Sequence, residues 1–326
     1  MKNIVLITEN FQTIWRPKDI ETFLAGSQEC VVLLAEAFQR LGHTVNVFLH
    51  GPTKSVKEEY NQVNYDDFSN FSVSDFTTAT IILFKINPLP VDDRLNNVNV
   101  IFWSSDVQKT VQPNRYIKKY VCLTDFHRKR NEWPNALVIP HGVDLNSLNA
   151  NRAEKEHETM IYCSSPDRGL PTVLSHFNLM KRFHPDLKLY ITYGFKIVKQ
   201  ILGQCFSQIR TDEISLQNIC AAEADRLFYC ADLPKNELEK RLWKSKYWVL
   251  PLGQADSELF CISAVKAQYC GCIPVIFRKG ALNETVGQWI DFTDFVNGER
   301  TPKKSNNVVP TFTWDEVVDL WWKNII

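Results

Sequence analysis

The feature that most constrains the fold is an alternation of short apolar runs with amphipathic stretches along almost the whole chain. Residues 4–8, 44–49, 80–84, 99–103, 120–123 and 137–139 read as buried strands. Between the first two, residues 28–41 place Val31, Val32, Leu34, Ala35, Phe38 and Leu41 near a 3.6-residue period, which predicts a helix that Gly42 stops. A second series follows, with strands at 160–163, 188–193, 226–229, 247–250 and 273–276 and helices at 169–183, 235–244 and 259–270. A last helix is predicted at 314–324. Strands that alternate with helices require crossover connections and a parallel sheet. The polar stretch 146–158 separates the two series and reads as a linker, and residues 61–76, polar and aromatic without a period, read as irregular surface.

A chain of 326 residues is long enough for two domains. The expected organisation is a first Rossmann-like domain over 1–148, a second over 149–310, and a terminal helix in 311–326 that packs back on the first. The expected class is therefore α/β, with two doubly wound domains facing across a cleft. Lys+Arg and Asp+Glu both number 37, and this zero balance disfavours nucleic acid as a partner. His127-Arg128-Lys129-Arg130 is a local basic cluster, read as a solvated helix face that leaves room for an anionic acceptor. The first apolar run is too short to span a membrane and lacks a small-residue cleavage site, so a soluble, cytoplasmic protein is expected. Nine cysteines without a CxxC pair point to reduced thiols rather than a metal or redox motif.

Ligands of open parallel sheets bind beyond the carboxyl ends of the strands, so the loops there are the places to search. The first ends in Ala25-Gly26-Ser27 before a helix. Gly26 would let the backbone approach a ligand at a helix start that favours anions; alternatively this is a tight turn with Ser27 as N-cap. In the loop 163–170, Arg168 at a helix start would meet a phosphate with its guanidinium and backbone N–H groups; alternatively it is an exposed arginine in a proline turn. After the strand at 247–250 comes Glu258, followed by Leu259, Phe260 and Cys261. Glu258 either caps the next helix or accepts hydrogen bonds from sugar hydroxyls. His141 reads as a turn residue, His127 belongs to no motif, and Trp321 and Trp322 read as packing residues.

The segments Ala25-Gly26-Ser27-Gln28-Glu29, Leu41-Gly42-His43-Thr44-Val45, Val138 to Asp144, Tyr162 to Leu170, Tyr193-Gly194, Asp232-Leu233-Pro234 and Pro251 to Val275 keep a familiar order and spacing. Over nearly its whole length the chain resembles the retaining GT-B glycosyltransferases of family 4. That resemblance implies transfer of a sugar from a nucleotide-diphosphate sugar, with retention of configuration and no obligatory metal or other cofactor. The donor would sit mainly on the second domain. The acceptor, a glycan, a lipid-linked molecule or a protein, would sit mainly on the first. Matched residue by residue, the implied catalytic set is Glu258, Arg168 and Asp106. The implied donor-binding set adds Gly26, Ser27, Ser105, Tyr193, Gly194, Leu233, Pro234, Leu259, Phe260, Cys261 and Lys266.

Two positions depart from the family pattern. Lys266 stands where the family has a second glutamate, eight residues after Glu258 and on the same face of the expected helix, roughly 12 Å along it. A lysine ammonium only donates, so it cannot repeat a carboxylate's grip on ribose hydroxyls; it contacts the nucleotide in another way or points to solvent. Ser105 stands where many relatives have a histidine, and Asp106 after it reads equally as a structural carboxylate. These departures keep a second function open, a catalytically degenerate homologue that acts as a binding or partner subunit.

Overall fold

The computed structural model describes residues 2–10, 15–22, 24–50, 57–107, 115–195, 206–253, 258–306, 308 and 310–325. The chain forms two compact units, one of residues 1–20, 24–144 and 311–326, the other of residues 21–23 and 145–310. Both are α/β units built on a sheet whose strands are mostly parallel, the class that the alternation predicts.

In the first unit the strands are β1 (Asn3–Asn10), β2 (Thr44–His50), β3 (Lys57–Tyr60), β4 (Val63–Asp67), β5 (Thr80–Phe84), β6 (Asn99–Trp103), β7 (Ile117–Cys122) and β8 (Leu137–Val138). They lie in the order β3-β4-β2-β1-β5-β6-β7-β8, and only the β3–β4 pair is antiparallel. Ile4 to Ile7 and Ile81 to Phe84 are buried on both faces, as central parallel strands require. The stretch expected to be irregular is in fact structured. It supplies β4, and Phe68, Phe71 and Phe76 close over Phe48 as a ring cluster on the core. Its aromatic residues mask a strand of only five residues, too short to show a period.

The terminal helix, Trp314–Asn324, belongs to this unit. Thr313 and Glu316 close a reciprocal cap at its start. Trp321 is buried edge-on against Phe38 and Trp103, whereas Trp322 stays partly exposed and lies flat on His43. The segment before the helix runs beside Val143, whose N–H donates to the Phe312 carbonyl at 2.8 Å. Gly142 is required there, because a Cβ would fall 2.7 Å from the Trp314 backbone. His141 is a core residue rather than a simple turn residue, 7% exposed and packed between Trp103 and Trp314.

In the second unit β9 (Thr159–Tyr162), β10 (Lys188–Ile191), β11 (Leu227–Tyr229), β12 (Tyr247–Leu250), β13 (Ile273–Ile276), β14 (Gln288–Asp291) and β15 (Lys303–Lys304) lie in the order β11-β10-β9-β12-β13-β14-β15. All neighbours are parallel except β14–β15. The first six strands thus follow the dinucleotide-fold order 3-2-1-4-5-6, which reverses between β9 and β12. The polar stretch read as a linker begins with a short helix, Leu145–Ala150. A buried carboxylate, Glu158, ties the amino ends of the strands together. It takes hydrogen bonds from Lys246 and, at 3.2 Å, from Arg300. The eight described cysteines are free thiols, and no helix among the described residues is long and apolar enough to cross a membrane.

His141 makes the first unit sensitive to acid. Burial, and then the charges of Lys85 and His127, push its pKa down to about 3. Unfolding restores a value near 6.5, so the unfolded chain takes up the proton first as pH falls. The His141 contribution is complete above pH ~6.5 and declines by ~1.4 kcal/mol per pH unit below it. Denaturant titrations should lose about 2 kcal/mol between pH 7 and pH 5 on this account, and His141→Phe should flatten that slope.

Candidate functional site

The carboxyl edge of the second sheet gathers four loops where the strand order reverses. The loop after β9 is folded by the Tyr162 hydroxyl, which donates to the Ser165 carbonyl at 2.6 Å. It ends at Gly169, in the left-handed region at φ +103. Gly169 passes so close to the loop after β12 that a Cβ would meet the Pro251 carbonyl oxygen at 2.5 Å. Arg168, next to this glycine, meets Glu258: its guanidinium Nη2 donates to the carboxylate Oε1 at 2.9 Å. Glu258 keeps only 14% of its side-chain exposure and Arg168 keeps 34%. The Arg168 Nε is buried and has no hydrogen-bond partner.

Two helices start at this point without a side-chain cap, Leu170–Phe183 after Gly169 and Ile262–Tyr269 after Cys261. Their first turns carry positive partial charge, though Pro171 in the first helix supplies no N–H. The second helix starts three residues later than its sequence predicts. Glu258, Leu259, Phe260 and Cys261 therefore form the entry to the helix rather than its first turn, and Glu258 faces Arg168 instead of capping. Burial, and then the Glu258 carboxylate, push the Cys261 thiol well up, so it remains protonated. Among the described residues, no group of three His, Cys, Asp or Glu side chains is placed to hold a metal ion.

The loops after β10 and β11 meet beside this pair. Asp232 accepts a hydrogen bond from the Gly194 N–H at 2.9 Å. A side chain at 194 would strike that carboxylate at 2.8 Å. Burial, Asp232 and Asp167 push the Tyr193 phenol up to about 12. Asp232 in turn precedes Leu233 and Pro234, and Ala231 before it holds the left-handed φ of +53. Tyr193, Gly194, Leu233 and Pro234 thus share one edge with Arg168 and Glu258. Asp232, which organises these two loops, carries no recognisable sequence signal of that role.

Lys266 lies in the second helix, outside a continuous helical face with Glu258, because Glu258 precedes the helix. It is half-buried rather than pointed to solvent. Its charge acts on Glu239, a carboxylate 2% exposed on the helix Lys235–Lys244. Glu239 accepts hydrogen bonds on one oxygen from Ser147 at 2.7 Å and Asn151 at 2.8 Å, while its other oxygen is buried without a partner. Burial raises its pKa, opposed by these hydrogen bonds and by Lys235 and Lys266.

The first unit has its own charged edge. Lys85 follows β5 in a left-handed conformation at φ +68, and its ammonium meets the Asp106 carboxylate at 3.1 Å. Lys85 is 10% exposed and Asp106 is 52% exposed. His127 is buried, not part of a solvated helix face. Its Nδ1 accepts the Leu123 N–H at 3.2 Å, which leaves the proton on Nε2 to donate to the Asp106 carbonyl at 3.0 Å. Burial lowers its pKa and so favours the neutral ring. Asn131 donates to the same carbonyl at 3.3 Å. The loop of Ser104, Ser105 and Asp106 is therefore fastened from below, and the Ser105 hydroxyl is buried without a hydrogen-bond partner. Gly26 and Ser27 occupy the first turn of the helix Gly26–Arg40, whose N-cap is Ala25 rather than Ser27. The sequence gives Lys85 away only as a charge that closes an apolar run.

No protein-family model matches the chain, and no curated protein matches it in sequence. Its fold is similar to solved structures. AviGT4, a glycosyltransferase involved in avilamycin A biosynthesis, superposes with a TM-score of 0.66 at 13% identity, over 98% of this chain and 96% of that one. Sucrose-phosphate synthase from Thermosynechococcus elongatus gives 0.61 at 12% identity, over 91% and 88%. HepE from Anabaena, in complex with UDP-glucose, gives 0.54 at 10% identity, over 98% and 89%. The fold class is GT-B, two doubly wound α/β units.

Two substitutions test this edge. Gly169→Ala should cost about 2–4 kcal/mol in chemical denaturation, from the forbidden φ and the collision with the Pro251 carbonyl. Lys266→Glu should lower the melting temperature, since Lys266 is one of the cations whose charge favours the ionised form of buried Glu239. In a double-mutant cycle, Glu239→Gln should recover most of that loss.

Proposed function

We propose that the chain is a retaining glycosyltransferase that moves a sugar from a nucleotide-diphosphate sugar to an acceptor. The observation that carries this reading is the pairing of Arg168 with Glu258 at the strand-order reversal of the second sheet, beside two uncapped helix starts. The leaving diphosphate gathers negative charge as the bond to the sugar breaks. Arg168 and the N–H groups of the two helix starts offer fixed positive charge for it. Glu258 offers acceptor oxygens to sugar hydroxyls, and Cys261 adds no charge. Tyr193, Gly194, Leu233 and Pro234 form the edge on which a nucleoside would rest. The acceptor is assigned to the first unit, with Gly26, Ser27, Ser105 and Asp106 as the residues there that contact reactants. Retention of configuration and independence from metal follow the family resemblance. The similar structures support the reading, since they include glycosyltransferases and a protein holding UDP-glucose.

One observation favours a second reading, a binding or partner subunit without turnover. Lys266 stands where a carboxylate would meet a ribose, and an ammonium offers it no acceptor.

A panel of UDP-, ADP- and GDP-sugars separates the two readings, with thermal shift for binding and nucleotide release for turnover. Arg168→Ala should weaken binding about 10- to 100-fold, the loss of one charge-assisted contact. Glu258→Ala should abolish release. Binding by wild type without release, even with candidate acceptors, supports the subunit reading. Absence of binding to every donor overturns the donor site.

A further inference from the structure

We infer that Lys85 is a positioning residue for the transfer reaction, acting through Asp106, whose carboxylate it holds in one place at the carboxyl edge of the first sheet. This rests on the reading above that Asp106 contacts reactants. β5 and β6 pair as far as Phe84 and Trp103, and the Lys85 N–H still donates to the Trp103 carbonyl at 3.0 Å. Past that bond the chain leaves the sheet at φ +68. A lysine is strained in this region and a glycine is not, so the backbone alone gives no reason for a lysine. The reason lies in the side chain: its Nζ reaches the Asp106 carboxylate Oδ2 at 3.1 Å.

The two partners are unequal. The lysine side chain is 10% exposed and that of Asp106 is 52% exposed, so the cation is the anchored member and the acid the presented one. The Asp106 backbone is fixed separately. Its carbonyl accepts from the Ser104 hydroxyl at 3.0 Å, from His127 Nε2 at 3.0 Å and from Asn131 at 3.3 Å. Those bonds act on the carbonyl and leave the side-chain torsions to be set by the ammonium. A carboxylate already held in one rotamer meets a reactant without first losing rotational freedom. Glu158 gives the contrast. It too is a charged residue at positive φ, +47, but its own carboxylate is the shielded member, 2% exposed beneath Lys246 and Arg300, and nothing is presented. At Lys85 the strained residue is the support, and its partner stands open.

The test measures nucleotide release from saturating UDP-, ADP- and GDP-sugars, with calorimetric donor binding and thermal melts. The proteins are wild type, Lys85→Met, Lys85→Gly, Asp106→Asn and the double variant Lys85→Met/Asp106→Asn. Lys85→Met keeps an unbranched chain without the charge, and should lower kcat about 10- to 100-fold while donor Kd stays within about twofold. Lys85→Gly relieves the backbone, so it should melt no lower than Lys85→Met and yet be as slow. Because Lys85 acts through Asp106, the double variant should be no slower than Asp106→Asn alone. A merely structural ion pair predicts otherwise: lower melting temperatures, with release per folded molecule equal to wild type. That result, or losses that multiply in the double variant, overturns the positioning role and leaves the donor site standing. Donor binding by wild type without release overturns it as well, since no reaction is then served. If no donor binds wild type, the donor site itself falls, and this inference with it.

Discussion

The crossing of Gly169 over the Pro251 carbonyl governs the chemistry of the second unit. Only a residue without a Cβ, and free to adopt φ +103, permits it. The two loops it joins follow β9 and β12, the strands between which the sheet order reverses. At such a reversal the connections leave toward opposite faces and open a crevice at the strand ends. The glycine narrows that opening until one side chain from each loop meets the other. The Arg168–Glu258 ion pair and the helix start at Leu170 stand directly beside this contact.

Both units solve the same electrostatic problem at their carboxyl edges. Lys85 after β5 and Arg168 after β9 are cations drawn partly out of water, and each is held against a carboxylate, Asp106 or Glu258. An unpaired charge in either place would cost several kcal/mol in lost hydration. The two pairs differ in who is buried. In the first unit the cation is shielded and the acid half-exposed; in the second the acid is the more shielded partner. The opposite end of the second sheet is tied by Glu158, buried under Lys246 and Arg300. That end has an ion network that closes on itself, whereas the carboxyl edge presents two helix starts without side-chain caps. The asymmetry separates the end that holds the strands together from the end equipped to meet a ligand.

The sequence by itself determined the α/β class, the two series of strands and helices, the terminal helix, and the loops at which Arg168, Gly194, Leu233 and Glu258 stand. These follow from apolar periodicity and from glycine and proline at element ends, all of which act over a few residues. Its failures were local conflicts of signal: β4, hidden among phenylalanines, and the late start of the helix after Cys261, where Glu258 imitates a cap. What only the tertiary structure decided is pairing: Arg168 with Glu258, Lys85 with Asp106, Lys266 near Glu239, and His127 beneath the Asp106 carbonyl. Such partners lie 21 to 90 residues apart, counted from their numbers in the chain, and no periodic pattern links them. They meet because parallel crossovers set strands that are distant in sequence side by side, and because a side chain's charge is tolerated at a dry edge only when the fold supplies its counterpart.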